Sequence, residues 1–390
     1  MKILFLAPHP FYQDRGTPIA VSLLLKVLSE RGDSIDLLTY HEGENIEYKN
    51  VRTHRIPCLP LIKNIGPGFS LKKIICDVFL FVSAMSLLRK NRYDIVHAVE
   101  ESAFMALIFK LVYKIPYVYD MDSIMSDQIL QRLPFLKVFS GLMQSIEGLA
   151  VRHAAAVVAV CDALADFARR FDPQKNIVIL RDISLLDNEE KAKQKREKIN
   201  LGISGLVLMY VGNLEYYQGI DLLLESFYFA ASKRENIHVV IIGGSKADIE
   251  KYKAMVEKYD SVSRVHFLGP KSMAHLADYL AEADILASPR IVGTNTPMKI
   301  YSYLHSGKAV LATNIDSHTQ VLDERVAKLA APQIDEFSEA LLKLVDNPAL
   351  RNRLGAQGKK LIEEKHSYVV FQDIVITLYK KLEDEYASRD

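Results

Sequence analysis

The run GTNTPMKIYSYLHSGKAVLAT, residues 293–313, has the residue types and spacing of an anion-binding helix start. Thr296 is a preferred N-cap residue, and Pro297 suits the first position of a helix. The run therefore predicts a helix over 297–306. The first N–H groups of a helix have no partner within it, and a phosphate can accept hydrogen bonds from them. A helix that is simply well capped is the alternative.

Two cations flank this predicted helix start, Arg290 before it and Lys299 in its first turn. Both could stabilise negative charge that develops on a phosphate. Solvated surface charge is the alternative for both. A second cap-and-proline run, Arg15, Gly16 and Thr17 before a proline, follows the first apolar strand of the chain. Two such helix starts, one in each half, favour a shared polar ligand.

A third loop is YVGNLEYYQGIDLLLESF, residues 210–227. Gly212 ends a predicted strand, and Gly219 stands where an apolar-periodic helix begins. Glycine at such a position allows a ligand to approach the backbone closely. The loop lacks the G-x-G-x-x-G pattern, so it does not predict a Rossmann NAD site.

Two similar halves carry these loops. The 390 residues are too many for one hydrophobic core, and β-branched runs alternate with amphipathic stretches in both halves. The first half predicts strands at KILFLA, SIDLLTY, DIVHAV, PYVYD and AAVVAV, and the second half at LVLMYVG, IHVVIIGG, VHFLG, DILASP and AVLAT. The helical stretch PIAVSLLLKVLSERG ends in Gly32, as helices often do. Apolar strands separated by helices predict an α/β fold with parallel sheets covered on both faces. The charged stretch 186–204 predicts a linker. It separates Rossmann-like domains over 1–185 and 205–365, and a closing helix follows over 366–390.

Net charge and cysteine usage exclude several functions. The net charge is +1, so no overall field favours nucleic acid. The cysteines Cys58, Cys76 and Cys161 are few and scattered. Their pattern indicates a reducing compartment and no metal site. The apolar run at the start is too short for a signal peptide. These features predict a cytoplasmic location.

One region combines an apolar helix with many cations. Residues 74–88 are strongly apolar but too few to span a membrane. Residues 51–92 contain eight Lys or Arg residues and one acid, Asp77. A buried helix is the favoured interpretation. Peripheral contact with the inner face of a membrane is the alternative.

Over nearly the whole chain, these motifs resemble the GT-B glycosyltransferases of family 4. The resemblance includes the glycine loop after the first strand, VGNLEYYQG, IIGG, FLG and, most specifically, PMKIYSYLHSGKAVLAT. It implies a retaining, nucleotide-sugar-dependent enzyme with two Rossmann-like domains whose parallel sheets face a central cleft. It also implies that the acceptor binds mostly on the first domain and the donor mostly on the second. The C-terminal helix would cross back to the first domain.

Several charged positions of the family pattern hold other residues here. Family members usually bind the diphosphate with Arg and Lys, where this chain has Asn213 and Gln218. Two glutamates spaced eight residues apart correspond to Thr294 and Ser302. A histidine late in the first domain is matched most nearly by Asp122. The resemblance therefore implies a variant subgroup in which other cations supply the missing charge.

The predicted site residues fall into three groups. The residues predicted to be catalytic are Arg290, Lys299 and Asp122. The residues predicted to bind the donor are Gly212, Asn213, Gln218, Gly219, Thr294, Asn295, Thr296 and Ser302. The residues predicted on the acceptor side are His9, Arg15, Gly16, Thr17, His97, Glu100 and Asp120. For the acids and histidines, helix capping or packing within the fold is the alternative.

The resemblance implies transfer of a sugar from a nucleoside diphosphate, UDP before GDP, to a hydroxyl of a glycan or lipid-linked acceptor. Anomeric configuration would be retained, and no metal or cofactor is expected. The leaving phosphate would accept the proton of the acceptor, so no separate base is required. A non-catalytic module that binds a nucleotide sugar or a partner protein is the alternative. An epimerase is less favoured because no acid–base pair is evident.

Overall fold

The computed structural model describes residues 1–66, 68–187 and 199–386. The chain divides into two compact units, Met1–Arg181 with Phe371–Asp390, and Asp182–Val370. Most of the predicted linker, residues 188–198, lies outside the described residues. The domain boundaries drawn from the sequence stay a prediction.

The first unit is built on a seven-stranded parallel sheet. Its strands are β1 (Lys2–Ala7), β2 (Ser34–Thr39), β3 (Val51–Arg55), β4 (Ile95–Val99), β5 (Tyr117–Met121), β6 (Ala156–Ala159) and β7 (Ile177–Ile179). Their order across the sheet is β3-β2-β1-β4-β5-β6-β7. The central strand β4 is buried along its whole length, which explains why all its residues except His97 are apolar.

Helices connect the strands of the first unit. They are α1 (Gly16–Arg31), α2 (Leu71–Lys90), α3 (Ser102–Tyr113), α4 (Met125–Arg132), α5 (Ser140–His153) and α6 (Asp162–Arg169). A 3-10 helix, Pro134–Phe139, leads directly into α5. Gly32 ends α1 with φ 92°, in the left-handed region that glycine adopts without strain. The glycine stop predicted for this helix is confirmed.

The second unit is built on a six-stranded parallel sheet. Its strands are β8 (Leu206–Val211), β9 (Ile237–Ile242), β10 (Val265–Gly269), β11 (Ile285–Ser288), β12 (Ala309–Thr313) and β13 (Lys328–Ala330). Their order across the sheet is β10-β9-β8-β11-β12-β13. Apolar side chains from both faces of this sheet enter two separate buried clusters. The sheet is therefore covered on both faces, as the sequence predicts.

The helices of the second unit, and the last helix of the chain, follow the same α/β pattern. They are α7 (Ile220–Lys233), α8 (Lys246–Val256), α9 (Leu276–Ala281), α10 (Lys299–His305), α11 (Asp316–Thr319), α12 (Ile334–Asp346), α13 (Pro348–Lys365) and α14 (Tyr368–Tyr386). From Phe371 onward, α14 belongs to the first unit. There Tyr379 and Glu383 form hydrogen bonds with His97 and Arg31.

The prediction of an α/β fold with two parallel sheets is confirmed. The strands that sequence analysis missed are β3, β7 and β13, which all lie at sheet edges. Edge strands are short and covered on fewer sides, so their apolar signal is weak. Among the described residues, no helix combines the length and apolarity that a membrane span requires.

Candidate active site

In the second unit, the strand order reverses between β8 and β11, because the chain leaves β8 toward β9 and later returns on the other side. Open α/β sheets bind ligands at the carboxyl ends of strands at such a switch point. The loop after β8, residues 212–219, and the loop after β11, residues 289–298, both leave the sheet there. The fold therefore brings most of the predicted donor residues to one edge.

Lys299 joins these two loops. Its Nζ donates to Gln218 Oε1 at 3.0 Å and lies 3.9 Å from the centre of the Tyr210 ring. A Cβ placed on Gly212 would lie 2.8 Å from the same Nζ. The ammonium group thus occupies the space above the Gly212 backbone that a larger residue would fill. The contact between Lys299 and Tyr210 could not be predicted from the sequence.

Arg290 organises the loop after β11. Its Nε donates to Val292 O at 2.8 Å, and its Nη1 donates to Asn295 O at 3.1 Å. Gly293 has φ 142°, a backbone conformation that side chains rarely adopt, and a Cβ there would lie 2.2 Å from Nη2 of Arg290. Thr313 Oγ1 donates to the Arg290 carbonyl. Arg290 thus has a structural role in this loop, in addition to any contact with a ligand.

In the part of the chain that the structure describes, no carboxylate neutralises the charge of Arg290 and Lys299. Among the described residues, neither Arg290 nor Lys299 forms an ion pair with a carboxylate. Burial lowers the pKa of the Lys299 ammonium well below its usual value, and the nearby Arg290 lowers it further. Burial likewise lowers the pKa of Arg290. An anionic ligand at this edge would supply the charge that the fold omits.

The predicted helix start is wrong in detail. Helix α10 begins at Lys299, and Met298 is its N-cap without a side-chain hydrogen bond. Thr296 is buried, and its Oγ1 has no hydrogen-bond partner among the described residues. The first bonds of this turn are short-range, from Ile300 N to Pro297 O and from Tyr301 N to Met298 O. The chain therefore enters α10 through a tight turn rather than through a threonine cap.

Other predicted donor residues are used by the protein itself. Ser302 is buried, and its Oγ accepts from the Leu185 N–H at 3.0 Å, so it is not available to a ribose. Gly219 has φ 69°, and a Cβ there would lie 2.1 Å from Pro289 O. The loop after β11 therefore approaches the Gly219 backbone closely.

The remaining donor-side residues keep polar atoms near this edge. Asn213 is exposed, and its Nδ2 donates to Tyr217 Oη at 3.3 Å. The carbonyl of Thr294 accepts from Gln320 Nε2 at 2.7 Å. Asn295 Oδ1 accepts weakly from Arg290 at 3.4 Å. These contacts hold the loops in place and leave the exposed amide of Asn213 in contact with solvent.

A buried histidine, His318, connects two neighbouring strands of the sheet at this edge. His318 forms hydrogen bonds through Nε2 with Ser288 Oγ at 2.9 Å and through Nδ1 with Thr313 O at 2.9 Å. Burial lowers the pKa of His318 to about 4. It is therefore neutral at pH 7 and ties β11 to β12. The sequence carried no periodic signal for this role.

In the first unit, the strand order reverses between β1 and β4. His9 follows β1 and is buried, and its Nδ1 donates to Pro10 O at 3.1 Å. Burial lowers the pKa of His9 to about 3, so the ring is neutral and Nε2 is an acceptor. His9 Nε2 has no partner among the described residues. A hydroxyl group is a suitable donor to it.

A charged cluster follows β4 at the same edge. Lys73 lies between two carboxylates, at 2.5 Å from Glu101 Oε1 and 3.8 Å from Glu100 Oε2. Glu100 has φ 47°, which is uncommon for a residue other than glycine. Burial raises the pKa of Glu100, although Lys73 opposes this shift. Sequence analysis selected Glu100 but missed Lys73, whose place is set by packing of α2.

Two acceptor-side predictions need correction. His97 is buried and shares a hydrogen bond with Tyr379 Oη at 2.7 Å, while its Nε2 donates to Asp120 at 3.1 Å. Its ring also stacks on Phe5, with the ring centres 4.4 Å apart. Both nitrogens are engaged, so His97 links β4 to α14 instead of meeting a substrate. Asp120 belongs to β5 itself, not to the loop that follows, and it supports this histidine.

The run at the start of α1 also differs from its prediction. The helix begins at Gly16, and its N-cap is Arg15 in an extended conformation without a side-chain cap. Thr17 therefore lies inside the first turn. Arg15 Nη2 donates to Ile65 O at 3.3 Å. Asp122 comes one residue after β5 and belongs to the first compact unit, whereas Arg290 and Lys299 belong to the second.

Comparisons with known proteins agree with this architecture. Residues 15–181 match the model of Glycosyltransferase Family 4, and residues 191–361 match that of Glycosyl transferases group 1. The chain is 24% identical to the uncharacterized glycosyltransferase MJ1178 of Methanocaldococcus jannaschii, over 98% of this chain and 99% of that protein. It is 22% identical to the lipopolysaccharide 1,2-N-acetylglucosaminetransferase of Salmonella typhimurium, over 62% of this chain and 66% of that protein.

A solved structure shows the same fold. The crystal structure of Anabaena HepE in complex with UDP superimposes with a TM-score of 0.74. Sequence identity is 14%, and the match covers 98% of this chain and 100% of that one. The two family models together span most of the residues, and both describe glycosyltransferases. The chain therefore belongs to the family 4-like glycosyltransferases of the GT-B fold.

Proposed function

We propose that this protein transfers a hexosyl group from a UDP-sugar to a hydroxyl of a glycan or lipid-linked acceptor, with retention and without a metal ion. One contact carries the proposal. Gln218 stands where the family resemblance implies a diphosphate-binding cation, and Lys299 Nζ lies 3.0 Å from its Oε1. The positive charge missing at position 218 is thus supplied by Lys299, on a different element. This substitution would distinguish the proposed variant subgroup.

The donor diphosphate would bind at the edge formed by the loops after β8 and β11. Lys299 supplies an ammonium group with no carboxylate partner among the described residues, and Arg290 lies close enough to lower its pKa. The buried Thr296 hydroxyl, which has no partner among the described residues, would donate to the ligand. The preference for UDP follows from the family and from the UDP complex of HepE.

The chemistry would be substitution at the anomeric carbon with departure of the nucleoside diphosphate. Negative charge grows on the leaving phosphate in the transition state, and Lys299 would stabilise it electrostatically. This role needs an ammonium placed in advance, which the contacts to Gln218 and Tyr210 achieve. The leaving phosphate would take the proton of the acceptor hydroxyl.

The acceptor would bind at the switch point of the first unit. His9 Nε2 is a buried acceptor atom without a partner among the described residues, and it suits a sugar hydroxyl. Glu100, with a side chain that is 14% exposed, lies at the same edge and would accept from a second hydroxyl. Asp122 would contribute from the loop after β5.

Thermal unfolding against a panel of nucleotides tests the donor assignment. UDP, GDP, ADP and CMP are each compared with their common sugar conjugates, without added metal and with excess chelator. A nucleotide at about a hundred times its Kd stabilises by roughly 2.7 kcal/mol, so UDP should raise the Tm by several degrees. A shift with GDP alone would reassign the base. No shift with any nucleotide would refute the donor site and favour a non-catalytic module.

A further inference from the structure

Three helices of the first unit have exposed apolar residues on one side, in addition to the apolar residues that they bury in the core. On α2, the exposed apolar residues recur at helical spacing and share one face: Leu71, Ile74, Ile75, Val78 and Val82. On α3 they are Ile108, Leu111 and Val112. On α5 they are Leu142, Ile146 and Leu149. The 3-10 helix before α5 adds Phe135, Val138 and Phe139, and the Val138 side chain is 87% exposed.

These stripes lie on neighbouring elements. The rings of Phe81 on α2 and Phe109 on α3 stack, with centres 5.3 Å apart. Lys110 on α3 donates to the carbonyl of His153, the last residue of α5, at 2.6 Å. The order is therefore α2, α3, α5, with the 3-10 helix continuous with α5. We call the exposed residues of 71–90, 102–114 and 132–153 the apolar face.

The charge of the apolar face has one sign. Every exposed charged residue in these three described segments is a cation: Lys72, Arg89, Lys90, Lys114, Arg132, Lys137 and Arg152. Their two acids are turned inward. Asp77 accepts from Tyr40 Oη at 2.5 Å, and the buried Glu147 accepts from the Met125 N–H at 2.6 Å. This asymmetry is local, since the whole chain has a net charge of only +1.

We propose that the apolar face docks on the surface of a bilayer that contains anionic lipids. Apolar side chains surrounded by lysine and arginine suit the boundary between headgroups and acyl chains. A second copy of this chain fits less well, because two such faces would bring like charges together. The proposal deepens the lipid-linked acceptor of the proposed function but does not depend on sugar transfer.

The proposed surface overlaps only partly with residues 51–92, for which the sequence left a membrane contact as the alternative to a buried helix. Of that region, α2 belongs to the apolar face, whereas β3 lies in the sheet. Most of the face comes from α3, the 3-10 helix and α5, which all lie beyond residue 92. Only tertiary packing brings these segments together.

Flotation with lipid vesicles tests the proposal, with the full chain and no nucleotide. Vesicles of phosphatidylcholine alone are compared with vesicles containing about three parts in ten of phosphatidylglycerol, at low salt and at about 1 M salt, where charges are screened beyond ~3 Å. We expect binding to the anionic vesicles that high salt weakens. Lys137→Gln should weaken partitioning about fivefold, as expected for one cation near an anionic surface. Val138→Asp should abolish it.

Two matched variants of the second unit serve as controls. Val262→Asp also places an acid on an exposed valine of a 3-10 helix, and Lys246→Gln removes an exposed lysine. Both should bind vesicles as the parent does. Equal binding by Val138→Asp and the parent would overturn the proposal, as would a dimer in solution that Val138→Asp dissociates. Because the Tm shift with UDP is measured on the same samples, failure of the lipid surface is distinguishable from failure of the donor site.

Discussion

Exchanging the residues at positions 218 and 299 tests the central feature of the donor site. The variants are Lys299→Gln and the double variant Gln218→Lys/Lys299→Gln. The first removes the ammonium. The second restores it on the partner side chain, 3.0 Å from its original place. Since the two groups already touch, the exchange moves the positive charge by little more than one hydrogen bond.

The expected magnitude follows from the contact. A charge-assisted hydrogen bond contributes about 1.5–3 kcal/mol, so loss of Lys299 should raise the Kd for UDP by roughly thirtyfold for a mid-range ~2 kcal/mol. At a UDP concentration of about a hundred times the parent Kd, ligand stabilisation would fall from ~2.7 to ~0.9 kcal/mol. At about 2–4 °C per kcal/mol for a domain of this size, the Tm shift would drop from about 5–11 °C to about 2–4 °C.

The pH dependence has a definite sign. Burial and the nearby Arg290 lower the pKa of Lys299 in the free protein, while a bound diphosphate favours the ammonium form. Affinity for UDP should therefore fall as pH rises through this lowered pKa. Lys299→Gln should show no such fall, because the amide does not titrate.

Isothermal titration of UDP and the thermal shift provide the assay, and turnover of the UDP-sugar reports on catalysis. Lys251→Gln is the matched control, since its Nζ also lies over a tyrosine ring, 4.6 Å from the centre of Tyr252. It should bind UDP as the parent does. Unchanged UDP affinity in Lys299→Gln would refute the electrostatic reasoning. A double variant no better than the single one would show that position 299, rather than the charge at this edge, is what matters.

Three further predictions concern stability. Gly219→Ala should lower the free energy of unfolding by more than Gly202→Ala does. Both glycines have positive φ, so backbone strain costs each variant about 1–2 kcal/mol. Only Gly219→Ala would also place its Cβ 2.1 Å from a carbonyl oxygen, and urea unfolding of both variants measures the difference. Tyr379→Phe should cost about 1–3 kcal/mol in urea unfolding, because it leaves a buried nitrogen of His97 unpaired, and an unchanged midpoint would contradict that role. The pKa of His318 is about 4 in the folded protein and 6.5 in the unfolded chain. Between these values the free energy of unfolding should fall by about 1.4 kcal/mol for each unit by which the pH decreases, because the unfolded chain binds the proton more tightly. His318→Asn should flatten this slope in urea unfolding measured across that pH range.

Local sequence predicted the elements and the edges at which they carry chemistry. The apolar runs at β1 and β12 appear in the structure with the predicted bounds, because a buried parallel strand must be apolar on both faces. The glycine stop of α1 could be predicted for a similar reason, since the left-handed conformation at Gly32 depends on that residue alone. These features are set by neighbours along the chain.

The partners of the site residues could not be predicted in this way. Lys299 meets Gln218 from 81 residues away, and His97 meets Tyr379 from 282 residues away. A side chain that reads as a ligand in the sequence, such as Ser302, proves to be buried against another segment. Whether a polar group is free or already paired depends on contacts that only packing creates.

By itself, the sequence determined two parallel α/β sheets and placed glycines and cations at the carboxyl ends of their strands. Tertiary structure decided which of those groups remain without a counter-charge. In the folded chain, Arg290 forms hydrogen bonds within the loop after β11, and Lys299 lies over Gly212. The apolar stripes of α2, α3 and α5 lie side by side. The physical reason is that periodicity fixes which face of an element is buried, whereas charge balance and surface continuity arise from side chains far apart in the chain.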